Sequence, residues 1–212
     1  MFNLSEQACL SYHYRTRINS TLDGIAEMNS HVDLLLNRAS SPKLTSPAPS
    51  NDELKVMFKA ALRVPDHARL KPARFLIIDD SRLEALGNLF EASLIKRNPD
   101  ATSTQKDRAR IAPSRAPMIV VVIARIVSHP KVPAMEQRLS SACSAYAILL
   151  SAEAFGYAGI WRTGDVARDP YVANGLNLDE NEEIIGFLYL GTSESEPKGF
   201  SEINSTKYVA RW

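Results

Sequence analysis

The sequence predicts an α+β domain, and three observations lead there. Helical and strand patterns alternate along the 212 residues, but the strands recur at irregular intervals. One strand, MIVVVIAR (118–125), is apolar enough to be buried on both faces. One long helix, PAMEQRLSSACSAYAILLSAEAFG (133–156), is nearly all small or apolar in its later turns and is expected to be buried all round. A chain of this length buries a proper core as one domain. Residues 28–212 read as that domain, and residues 1–27 as an N-terminal extension.

The elements follow in order. SHVDLLLNR (30–38) reads as a helix, with Ser30 at the N-cap and Asp33 three residues on. The proline- and serine-rich SSPKLTSPAPS (40–50) is a loop. SNDELKVMFKAAL (50–62) is a second helix: Ser50 and Glu53 form a capping-box pair, and Leu54, Met57, Phe58, Ala61 and Leu62 recur at helical spacing. ARFLIID (73–79) is a strand. SRLEALGNLFEASLI (81–95) is a helix with Ser81 and Glu84 as a further capping box. Residues 96–104 are loop, and a short polar helix follows to about Ala112. The long helix opens at a proline and closes at Gly156. AGIWR (158–162) is a short strand running into a glycine turn. DPYVANGL (169–176) is a helix with Asp169 at the N-cap and Pro170 behind it. EIIGFLYLGT (183–192) is the last strong strand, and the final twenty residues are polar and expected to be extended.

Several function classes are excluded at this level. The formal net charge is +1, so no global basic field argues for nucleic acid. No apolar run is long enough to span a bilayer, and the N-terminus lacks the apolar core of a signal peptide. Cys9 and Cys143 have neither metal-ligand nor CxxC spacing, which fits a reducing cytoplasm. GxGxxG after a strand, GxxxxGK[ST], HExxH, GxSxG and Cys/His clusters are all absent from the sequence. No metal site is expected, and the chemistry must come from a cofactor or from loops.

Four stretches stand out: Asn37-Arg38-Ala39-Ser40, Arg63-Val64-Pro65-Asp66-His67, Gly159-Ile160-Trp161-Arg162, and the strand Gly186 to Gly191. Pro47-Ala48-Pro49 and HPKVPAMEQ (129–137) lie between them. Together, in this order and spacing, they resemble the flavin-dependent nitroreductase family, most closely its short single-domain branch. The likeness covers about residues 28–192. It implies an α/β/α sandwich with a central, mainly antiparallel sheet, helices on both faces, and an intertwined homodimer. It implies FMN as cofactor and NAD(P)H as co-substrate. Hydride would pass from nicotinamide to flavin N5, and on to a nitro or quinone-like small-molecule acceptor, with ping-pong kinetics. A non-catalytic flavin-binding or storage protein of the same fold is the alternative.

The resemblance places Arg38, Ala39 and Ser40 at the FMN phosphate, where a guanidinium and a hydroxyl suit a dianion. Read alone, Arg38 is more simply a helix-end cation complementing the macrodipole. The resemblance places Arg63 and His67 at the flavin, His67 from the opposite subunit. An arginine near the pyrimidine edge would stabilise the negative charge of the reduced ring. Read alone, Asp66 and His67 form a local hydrogen-bonded loop pair. A main-chain N–H in GIWRTG would meet flavin N5, with Trp161, Arg162 and Thr163 lining the cofactor. Read alone, Trp161 is a core residue beside a surface arginine. No side chain is expected to act as a dedicated acid or base. Lys71-Pro72 and the basic residues of 95–115 read as solvated faces, the latter in the position of a mobile segment over the active site. Two departures from the family pattern stand out. Ala39 replaces a second arginine, and Ala73 lies in KPAR where an aromatic wall is expected.

Overall fold

The computed structural model describes residues 30–194 and 203–212. Ser30, expected at the N-cap, is instead the first residue inside α1; the boundary at residue 28 lies outside the described residues. The described residues fall into two units: residues 34–194, and residues 30–33 with 203–212. In the second unit the described tail is exposed, with one 3-10 turn at Ser205–Lys207 capped by the Asn204 side chain.

The first unit contains a five-stranded sheet of order β1-β5-β3-β2, with β4 also paired to β5. The strands are β1 (Leu44–Thr45), β2 (Ala73–Asp79), β3 (Met118–Arg125), β4 (Ala158–Arg162) and β5 (Glu182–Ser193), and every pair of them is antiparallel. The helices are α1 (Ser30–Asn37), α2 (Asn51–Ala61), α3 (Ser81–Arg97), α4 (Ser103–Arg110), α5 (Ala134–Ala154) and α6 (Pro170–Gly175). Residues 118–124 of β3 are all buried, so alternate side chains feed two cores. On one face Val120, Val122, Leu188 and Leu190 pack with Leu54 and Met57 of α2 and Ile148 and Leu149 of α5. On the other, Ile119, Val121, Phe187 and Tyr189 pack with Leu86 and Phe90 of α3 and Val172 of α6. The α+β sandwich expected from the sequence is present.

The Ser50–Glu53 capping box and the Asp169 N-cap form as expected. Two further expectations need correction. Ser81 is the first residue inside α3 and not its cap: Asp80 occupies the cap position with φ 45° and its side chain makes no cap bond. The reciprocal box instead forms at Thr102 and Gln105, starting α4. Helix α5 is not buried all round in the single chain. The sheet covers one side only, and Met135 (60% exposed), Leu139 (56%) and Tyr146 (39%) remain open. The basic segment 95–115 is largely exposed, as expected, and its helix α4 packs on α3. Gly87 lets α3 approach α4 closely: a Cβ there would lie 2.1 Å from the Arg110 carbonyl oxygen. Its cations are partly committed as well, Arg97 to Asp165 and Asp169, and Arg110 to Asp107 and Glu91.

Candidate functional site

Strand β4 has one neighbour, β5, and a second edge that is only partly covered. Residues 38–41 leave α1 and run beside the start of β4, forming a parallel bridge between Ser40 and Gly159. The Ser41 N–H donates to the Gly159 carbonyl at 3.1 Å. That carbonyl therefore points away from β5. Because neighbouring residues of a strand alternate in direction, the N–H and C=O of Trp161 point the same way. The covering segment does not extend that far, so the Trp161 amide faces an open edge.

The phosphate candidates flank this edge. Arg38 follows directly on α1, half-buried, its guanidinium carbon 6.0 Å from the centroid of Tyr146 on α5. The Ser40 side chain is exposed, whereas Ser41 is buried with its hydroxyl 3.3 Å from that of Ser193. Glu153, in the last turn of α5, faces the same place. Burial pushes its carboxyl above the ordinary range, opposed by the Arg38 charge and the Ala39 N–H. A phosphate here would thus meet Arg38, Ser40 and a competing carboxylate. The sequence carries one signal for Glu153, a lone acid among small apolar residues.

Trp161 is set by β5. A bulge between Val122 and Ile123 of β3 leaves Ile185 unpaired, and the Ile185 carbonyl accepts from the Trp161 indole N–H at 3.3 Å. The ring lies over Gly186, where a Cβ would come within 2.0 Å of Nε1. Arg162 points to the opposite face, its guanidinium 5.4 Å from the Tyr189 ring. Only its backbone lies along the same strand end as Trp161, and Thr163 is exposed just beyond.

Arg63 and His67 sit on the loop after α2. Ser144 of α5 donates to the Ala61 carbonyl at 2.8 Å, and Lys71 donates to the Leu62 carbonyl at 3.0 Å, so the end of α2 is held from two sides. Lys71 stays exposed, as expected, while making this bond. Asp66 does not pair with His67 either. Its carboxylate accepts from the Leu70 and Lys71 N–H groups at 3.1 and 2.9 Å, holding a loop in which Ala68, Arg69 and Lys71 all have positive φ. Three such residues are uncommon outside glycine and carry strain. His67 instead reaches Glu136 in the first turn of α5, Nδ1 to Oε2 at 2.6 Å, and Arg63 is exposed.

The eight candidates thus form two groups. Arg38, Ala39, Ser40, Trp161, Arg162 and Thr163 gather around β4, near the C-terminal half of α5. Arg63 and His67 lie at its N-terminal end. Glu136 and Glu153 are about 25 Å apart along the helix at 1.5 Å per residue, so one chain does not bring the groups together.

The flavin fits this donor set: an open main-chain N–H for a ring nitrogen, and a guanidinium and an exposed hydroxyl for a phosphate. Comparison with known proteins agrees. The nitroreductase family profile matches residues 35–192. The chain is 37% identical over 163 residues to a protein of Escherichia coli K12 named "Putative NAD(P)H nitroreductase YdjA", covering 77% of this chain and 88% of YdjA. Among solved structures, a nitroreductase-like family protein from Bacillus cereus superposes with a TM-score of 0.74 at 19% identity, covering 89% of this chain and 98% of that one. The FMN and NADPH-dependent nitroreductase NfnB from Sphigopyxis sp. strain HMH gives 0.68 at 14% identity, covering 87% and 99%. With the sandwich, the open β4 edge and a profile match across most of its length, the chain belongs to the nitroreductase family.

Proposed function

We propose that the protein is an NAD(P)H-dependent FMN oxidoreductase of the cytoplasm, acting as a homodimer on a nitro or quinone-like acceptor by a ping-pong mechanism, with residues 28–212 as its FMN-binding domain. The observation that carries this reading is the open Trp161 amide beside the Arg38 and Ser40 donors. When bound, FMN supplies hydride transfer from a nicotinamide to the acceptor. Arg38 and Ser40 hold the phosphate, with Ala39 beside them through its backbone. The Trp161 N–H donates to N5, while the Trp161 ring, the Arg162 backbone and Thr163 border the cofactor. Arg63 sets a fixed positive charge near the pyrimidine edge, and His67 closes the pocket. No acid or base is needed from the protein, which contributes position and electrostatics.

The two-group geometry supports the dimer. The open face of α5 carries Met135, Leu139 and Tyr146 in line. Two copies crossing antiparallel on that face would bring the partner's His67 end toward Arg38 and Trp161. A closed two-fold contact of this kind completes two sites at once.

The test is colour followed by bleaching. The purified protein should show a flavin spectrum, and anaerobic NADH or NADPH should bleach it on a catalytic timescale. A yellow protein that stays oxidised with both nucleotides is a flavin-binding protein instead. A colourless protein that FMN does not reconstitute removes both readings.

A further inference from the structure

Beside β4, on the Arg162 side of the sheet, lies a cavity of about 430 Å³ whose lining includes Trp161, Arg162 and Thr163. Its floor and walls are aromatic and aliphatic, from Phe90 of α3, Phe187 and Tyr189 of β5, and Ala112 beyond α4. Two guanidiniums line it, those of Arg162 and Arg115. Neither has a carboxylate partner among the described residues. The Arg162 Nε atom is buried and makes no hydrogen bond. Most other arginines with a described contact here are matched to acids, as Arg74 is to Glu182 and Arg138 to Glu183. A buried charged donor without an acceptor costs free energy that an anionic ligand would offset. Tyr189 joins the same corner. Burial raises its phenol above the ordinary range, opposed by the charges of Arg162 and Arg115, and the Arg162 guanidinium lies 5.4 Å from its ring.

We propose that this cavity is a second ligand site, distinct from the flavin edge, that takes a small aromatic carboxylate. The volume lies in the range of small-molecule pockets. The two arginines form the carboxylate end, where planar forks match a carboxylate. Phe90 and Phe187, packed edge to face with ring centroids 5.3 Å apart, form the apolar end. The cavity also borders Thr163 and Gly164 at the end of β4, so an occupant would sit one strand thickness from the amide assigned to the flavin. The cavity shares Trp161, Arg162 and Thr163 with the border assigned to the flavin, but Arg115, Phe90, Phe187 and Tyr189, which complete its two ends, are not among the flavin candidates.

The experiment is calorimetric titration of the purified protein, as isolated and with excess FMN, using benzoate, benzamide and inorganic phosphate. Benzoate should bind saturably, once per chain, with an affinity that excess FMN leaves unchanged. Benzamide and phosphate should each bind at least roughly ten-fold more weakly, since one lacks the charge and the other the ring. Arg115→Met, at an exposed position, should weaken benzoate at least roughly ten-fold while FMN retention stays at wild type. Tyr189→Phe should weaken it less. Absent or non-saturating benzoate binding would overturn the proposal, as would equal binding of benzamide or phosphate, or indifference to Arg115→Met. Displacement of benzoate by FMN would overturn it too, by making the cavity part of the flavin site. A protein that binds benzoate but no FMN would refute the flavin reading and leave this one standing.

Discussion

At the scale of single residues, the sequence names site candidates by side-chain type, and the structure gathers six of the eight around β4. Arg38, Ser40 and Trp161 are where the motif order puts them. What escaped the sequence is direction. Nothing in GIWRTG announces that Trp161 and Arg162 face opposite sides of the sheet, though strand alternation requires it once β4 is known. Nor does the sequence show that Asp66 clamps two amides and leaves His67 to Glu136. Glu153 was overlooked because its partner, the backbone around Ala39, is more than a hundred residues away. It yields a prediction. If Arg38 and Ala39 face a phosphate, the Glu153 carboxylate competes for them. Glu153→Gln should therefore tighten FMN binding by roughly three- to ten-fold, as expected for removing a partly screened like charge. Fluorescence titration of flavin quenching reads this directly. Unchanged or weaker binding in the Gln variant would place the phosphate elsewhere.

At the scale of elements, the helices and strands with strong periodicity were readable, and their ends less so. Ser81-Arg-Leu-Glu84 has the capping pattern without the cap, because the chain turns at Asp80 in a left-handed conformation. Thr102-Ser103-Thr104-Gln105 instead carries the working box, in a stretch whose polarity reads as loop. The two-residue β1 was hidden in the same way, inside a proline-rich segment. Two predictions belong here. Gly186→Ala places a methyl group against the Trp161 indole and should shift the ring. It should cost about 1–3 kcal/mol of stability, change the tryptophan emission, and weaken FMN binding; an unaltered emission spectrum would contradict the packing. The second concerns the clamp between α3 and α6. Burial alone would raise the Asp169 carboxyl, but bonds from the Ser93 hydroxyl, the Tyr171 N–H and Arg97 hold it below the ordinary range. Arg74 does the same for Glu182. A carboxylate whose folded pKa is lowered contributes stability above its unfolded pKa and loses it as pH falls through the folded one. Melting temperature should therefore drop on acidification below the normal carboxylate range. Asp169→Asn keeps an N-cap but loses the ion pair, so its melting curve should depend less on pH there. An equal acid slope in the variant would remove Asp169 from the account.

At the scale of the whole molecule, the sandwich was legible from the pattern of elements, whereas the need for a second chain came only from the family resemblance. The composition of α5 reads as a helix buried all round, whereas the chain buries one side and leaves an apolar stripe open. Sequence reports that a residue wants cover, not which chain supplies it. The claim that joins fold to function is that one chain's Arg38 and the partner's His67 serve the same flavin. Co-expression of Arg38→Ala with His67→Ala tests it. Each variant alone should retain little FMN, Arg38→Ala through loss of a charge-assisted contact of about 1.5–3 kcal/mol. Dimers co-purified from cells making both should recover about a quarter of the wild-type FMN content per chain, because half of randomly assorted dimers are mixed and each mixed dimer holds one intact site. FMN content no higher than that of the two variants alone would contradict a site shared between subunits.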